Sequence, residues 1–148
     1  MNKKLFSSCL KKRDYLNKKV FDQQECIKYG EWFESQEFLN DAIDFYVKVN
    51  AKEHLKRLLP KVIDEGDVFL FKKIFQALKE QPKEEMWKEI GENALKLGKW
   101  AFALKAFQAI KDEEKIKKVE DVMQAQGFYF TPEVKLPFLN PQEKKRKK

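Results

Sequence analysis

Three observations predict an all-α fold, a right-handed array of three antiparallel helix pairs with one helix before it and a capping helix after it. The first is an internal repeat. Trp87, Ile90, Gly91, Ala94, Ala103, Phe107 and Ile110 reproduce, without a gap, the pattern of Cys26, Tyr29, Gly30, Phe33, Ala42, Tyr46 and Val49, each 61 positions after its counterpart. The second is composition: 43% hydrophobic and 14% aromatic residues with only 5 Gly and 5 Pro suit a helical core better than a sheet or a disordered chain. The third is the helical spacing of apolar residues between the two copies, as in Leu55, Leu58, Leu59, Val62 and Ile63.

Residues 1–22 make the first segment. In its stretch KKLFSSCLKKRDYLNKKVF, Leu5, Phe6, Cys9, Leu10, Leu16, Val20 and Phe21 share one side of a helical wheel, with most lysines opposite. That pattern predicts a basic amphipathic helix over 3–21 covering the first pair. A helix lying on an anionic membrane and a mobile arm are the alternatives.

The repeat region follows over 23–126. Helices are expected near 23–34 and 38–49, with the turn made by Ser35, Gln36 and Glu37. Asn50 and Glu53 are close to a capping box for the next helix. Pro60 inside that helix removes a backbone donor and crowds the Lys56 carbonyl, which predicts a kink or a late start. Gly66 can end the helix in the left-handed conformation, and Asp67 can cap its successor, whose stripe is Val68, Phe71, Ile74, Phe75 and Leu78. After the Gln81-Pro82 break, Glu84 and Glu85 suit the positive start of the third pair. Asp112 then caps a helix with Ile116, Val119, Val122 and Met123 on one face, the terminal cover that repeat arrays require. Gly127 stops it. Residues 127–148 carry three prolines and no helical period, so they are expected to be extended.

The third pair resembles the tetratricopeptide repeat, a helical-hairpin α-solenoid family, with Trp87, Ile90, Gly91, Ala103 and Phe107 at signature positions. The first pair matches with Tyr29, Gly30, Phe33, Ala42 and Tyr46. Gly on one helix and Ala on the other permit a close crossing, and the large residues fill the space around it. Two departures stand out: glycine to glycine spans 61 residues where two repeats of 34 would give 68, and Leu59 and Phe71 occupy the two small positions of the middle pair. Neighbouring solenoid families share such irregular pairs.

The resemblance implies a non-enzymatic interaction scaffold whose first helices line a groove for a peptide or protein segment. Carried over by position, the groove residues are Gln24, Ile27, Glu31, Glu34, Lys88, Glu92 and Lys96. Glu31 and Glu92 stand where the family's carboxylate-binding groove has asparagine. Their charge would repel a carboxylate ligand, which favours a basic or apolar peptide.

The net charge of +7 sits at the ends: residues 1–19 carry +6, residues 141–148 carry +4, and the body is −3. Lys144, Lys145, Arg146, Lys147 and Lys148 can solubilise, contact phosphate, serve nuclear import, or dock together with the apolar segment Val134 to Leu139. Basic ends make a nucleic-acid-associated helical protein the alternative function, through contacts weakened by salt.

No catalytic constellation, metal-ligand spacing or phosphate loop is legible, so no enzyme activity or cofactor is expected. The carboxylate clusters lie at helix ends, and His54 reads as a surface residue. Cys9 and Cys26 with one histidine cannot complete a structural zinc site without carboxylates. Lys11, Lys12 and Arg13 interrupt any secretory hydrophobic segment, and no apolar run nears the ~20 residues of a membrane span. The chain therefore reads as cytoplasmic, with a nuclear location open.

Overall fold

The computed structural model describes residues 9–128. Among them are eight α-helices: α1 (Cys9–Leu16), α2 (Gln23–Ser35), α3 (Leu39–Lys48), α4 (Lys52–Asp64), α5 (Val68–Leu78), α6 (Glu84–Lys96), α7 (Trp100–Ala109) and α8 (Glu113–Ala125). The described residues contain no strand. The expected start of the first helix and the whole basic tail fall outside this range.

Three aspartates open helices by accepting backbone hydrogen bonds that no helical carbonyl can receive. Asp22 takes the N–H groups of Gln24 and Glu25 at 2.8 and 3.1 Å. Asp67 takes that of Leu70 at 3.0 Å, and Asp112 that of Lys115 at 3.1 Å.

One device closes every helix from α2 to α8. Glu37, Asn50, Gly66, Lys79, Gly98, Lys111 and Gly127 all adopt the left-handed conformation, with φ between +53° and +86°. In each case the next N–H reaches back five residues to a carbonyl, as in Phe38 to Phe33 at 3.0 Å and Lys99 to Ala94 at 2.8 Å. This double reversal satisfies the last carbonyls and turns the chain sharply. The left-handed residues lie 13 apart within α2/α3, α4/α5 and α6/α7 alike, so the middle pair shares the others' frame despite lacking their glycine.

Asn50 therefore ends α3 and does not cap α4. The cap residue of α4 is Ala51, whose side chain accepts nothing. Asparagine tolerates the left-handed region better than most residues, and that property outweighs its capping tendency here. Lys111 lacks that tolerance and is exposed. Lys111→Gly should therefore stabilise the fold by about 0.5–1 kcal/mol, read as a higher urea midpoint at unchanged slope.

Helix α2 packs on α3, α4 on α5, α6 on α7 and α7 on α8. Further contacts join α3 to α5, α5 to α7 and α4 to α6. At two crossings the glycine faces an aromatic ring. A Cβ on Gly30 would stand 2.4 Å from Cε1 of Tyr46, and one on Gly91 would stand 2.7 Å from Cε1 of Phe107. Ala42 and Ala103 are fully buried nearby in sequence. In the middle pair Phe71 is instead flanked by the rings of Phe75 and Trp87, with centroids 4.9 and 4.8 Å away. Helix α4 starts at Lys52 and continues through Pro60, so the late start expected there does not occur.

The first helix departs most from expectation. It stops at Leu16, and Leu10 and Val20 are 60% and 89% exposed. Tyr15, which no apolar stripe identified, is buried. The Tyr15 ring meets Tyr29 edge-on at 5.2 Å, and its O–H donates to Glu25 at 2.7 Å. Lys12 bonds to Asp41 and Asp44 of α3, while Lys48 donates to the carbonyls of Leu16 and Lys18. The basic helix is thus held by carboxylates and carbonyls, and Lys12 is turned into the fold.

Candidate binding face

Side-chain bonds join alternate helices along one side of the molecule. Between α2 and α4, Glu31 lies 3.6 Å from His54, Glu34 pairs with Arg57 at 2.8 Å, and Glu37 pairs with Lys61 at 3.0 Å. Between α4 and α6, the Asn93 amide donates to the Ile63 carbonyl at 3.0 Å, and Lys99 donates to the Glu65 carbonyl. Between α6 and α8, Lys115 pairs with Glu92. Thus α2, α4, α6 and α8 adjoin in order.

Two clefts open on this side. One, of about 420 Å³, is lined by Glu31, Glu34, Ser35, Arg57 and Lys61. The other, of about 260 Å³, is lined by Glu92, Leu95, Lys96, Phe107, Lys115 and Lys118. Lys115 leans over the Phe107 ring, its Nζ 5.3 Å from the centroid, so one ammonium serves both the carboxylate and the ring face. Tyr46 supports the first cleft from beneath by donating its O–H to Glu34 at 2.7 Å.

Of the positions expected in the groove, Glu31 and Glu34 meet α4, Glu92 meets α8, and Lys96 lines the cleft between α6 and α8. Gln24 is exposed and Ile27 half-buried near the start of α2. Lys88 is paired with Glu84 of its own helix at 2.8 Å and lines neither cleft. Arg57, Lys61, Lys115 and Lys118 complete the two clefts and were not anticipated, nor was His54 beside Glu31. A signal for them exists: Glu31/His54, Glu34/Arg57 and Glu92/Lys115 are each 23 residues apart.

The expected repulsion of anionic ligands also changes. Glu34 and Glu92 already face cations, and the Lys115 hydrogen bond holds the Glu92 carboxyl below its usual range. Lys96 and Lys118 line the second cleft without an ion pair among the described residues. The face is therefore neutralised at Glu34 and Glu92, with spare cations at its α6–α8 end.

Buried phenols make a pH-dependent signature beneath this surface. Burial, then the hydrogen bond to Glu25, pushes the Tyr29 phenol up to about 12 from an ordinary 10. The same causes raise Tyr15, and burial plus the bond to Glu34 raises Tyr46. A raised acid contributes stability that is complete below pH 10 and lost as the pH climbs through the folded-state value. In an alkaline titration, three of the four tyrosines should stay protonated at pH 10 and ionise together with loss of helical circular dichroism. Independent ionisation near pH 10 with the helices intact would contradict this.

Among the described residues no group of three or more His, Cys, Asp or Glu side chains is arranged to hold a metal ion, and no helix is long and apolar enough to cross a membrane. Against known proteins, no family model, no curated protein and no solved structure matches this chain.

Proposed function

We propose that the chain is a protein-interaction module, a tetratricopeptide-like right-handed stack of the α2/α3, α4/α5 and α6/α7 pairs, closed by α8. It binds a segment of another protein along the side formed by α2, α4, α6 and α8. The observation that carries this reading is the continuous run of that side, bonded from helix to helix by side chains that leave two clefts open between them. A rigid, largely pre-formed surface lowers the ordering cost that a bound peptide imposes. Paired carboxylates at Glu34 and Glu92 leave polar sites for a partner's backbone, and Lys96 and Lys118 offer charge to an acidic side chain.

The nucleic-acid reading has less support. Lys12 is engaged by Asp41 and Asp44, and Arg13 by Asp14 at 3.2 Å, so part of the basic amino-terminal run is matched within the chain. The test is capture from the native cell extract with lysine cross-linking. Partner cross-links at Lys61, Lys96 and Lys118 are expected. Links confined to Lys72, Lys73 and Lys105, on α5 and α7, would overturn the proposed face, and retention of nucleic acid alone would favour the alternative.

A further inference from the structure

The carboxy-terminal end of the stack presents an apolar strip where its counterparts are covered. Trp100 and Leu104 of α7 stand 61 positions after Leu39 and Ile43 of α3. Leu39 and Ile43 are 4% and 0% exposed, whereas Trp100 and Leu104 are only partly buried. The difference lies in the number of later helices among the described residues: α3 is succeeded by α4 and α5, and α7 by α8.

After α2, α4 and α6 a second helix starts two residues past the left-handed stop, at Leu39, Val68 and Trp100. The corresponding start after Gly127 is Tyr129, but Pro132 and Pro137 come soon after it, and a helix interior cannot carry them without losing bonds.

The chain is nevertheless delivered to the strip. The Phe128 N–H donates to the Met123 carbonyl at 2.9 Å, and its ring meets Trp100 edge-on at 5.7 Å while staying 52% exposed. From that point the sequence runs YFTPEVKLPFL, with Tyr129, Phe130, Val134, Leu136, Phe138 and Leu139 apolar or aromatic.

We propose that residues 129–139 of this same chain cover the Trp100–Leu104 strip as an extended strap, in the place that a second helix of the pair would take. Length permits it: eleven extended residues reach about 35 Å, against about 15 Å for the ten residues of α7. The strap continues an aromatic contact already made at Phe128. This proposal is independent of what the α2–α8 side binds.

The full chain carrying Phe138→p-benzoylphenylalanine, irradiated at low concentration and mapped by mass spectrometry, tests it. Cross-links within one chain to the Trp100–Leu104 stretch of α7 are expected. Cross-links to α2, α4 or α6, cross-links between chains, or none at all would overturn the proposal. Hydrogen exchange on full-length Phe138→Asp provides the second measurement. Amides of α7 should exchange about tenfold faster, in keeping with loss of a buried phenylalanine, with α2–α5 unchanged. Unaltered protection of α7 would overturn it equally.

Discussion

Gly66→Ala is expected to destabilise the protein by about 3 kcal/mol or more, the largest effect of any single methyl group added to this chain. Two costs combine. Gly66 holds φ at +61°, where an L side chain pays about 1–2 kcal/mol. The new Cβ would also lie 2.6 Å from both the backbone N and Cα of Ala94 in α6. Those atoms cannot rotate away as a side chain can, and Ala94 is fully buried, so α4 and α6 must separate. Gly98→Ala is the control. Its φ is +70° but nothing lies within 4 Å of its Cβ position, so only the conformational cost of about 1–2 kcal/mol should appear. Urea denaturation of the two variants checks the contrast. Equal midpoints would mean that the turn after α4 does not touch α6 as described.

The aromatic seats make the second large prediction. Gly91→Ala places a methyl 2.7 and 2.9 Å from two ring atoms of Phe107 and 3.1 Å from the Ala106 methyl. Overpacking of that kind costs about 1–3 kcal/mol, which exceeds the gain of about 1 kcal/mol from removing a helical glycine. Gly91→Leu should cost several kcal/mol, since three further carbons enter the same space. Phe107→Leu should partly rescue Gly91→Ala, because the smaller side chain vacates the contact, giving a favourable coupling energy in a double-mutant cycle. Gly30→Ala should be harsher than Gly91→Ala. There the clash is 2.4 Å, and the Tyr46 ring is tethered through its O–H to Glu34. Additive effects at Gly91 and Phe107 would show that the two do not meet.

The glycine and aromatic echo at 61 residues falls where Gly30 meets Tyr46 and Gly91 meets Phe107, because a missing side chain and a large ring are legible one letter at a time. Asp67 and Asp112 were legible for the same reason, since a short carboxylate before an apolar run has a local purpose. Glu37, Lys79 and Lys111 were not: their left-handed backbones follow from the turns that the packed helices impose, and nothing about these side chains asks for them. Tyr15 was missed because its value lies in an aromatic contact with Tyr29 and a hydroxyl reaching Glu25, both supplied by another helix.

At the candidate face, Glu31, Glu34, Glu92 and Lys96 could be placed by analogy between the two best copies. Their partners on α4 and α8 could not, because those helices lack the glycine that aligned the others. The 13-residue interval between left-handed stops supplies the missing register, but it becomes visible only once the backbone angles are known.

That interval also bears on how such a chain can lengthen. Gly66 and Gly98 close α4 and α6 with nearly the same backbone angle, +61° and +70°, and each is followed at once by the second helix of its pair. A tandem duplication of residues 67–98 would join Gly98 to Asp67, recreating at the seam a left-handed glycine followed by a helix-capping aspartate. Unequal recombination at these two glycine codons would thus add whole structural units in frame, without inventing a new joint.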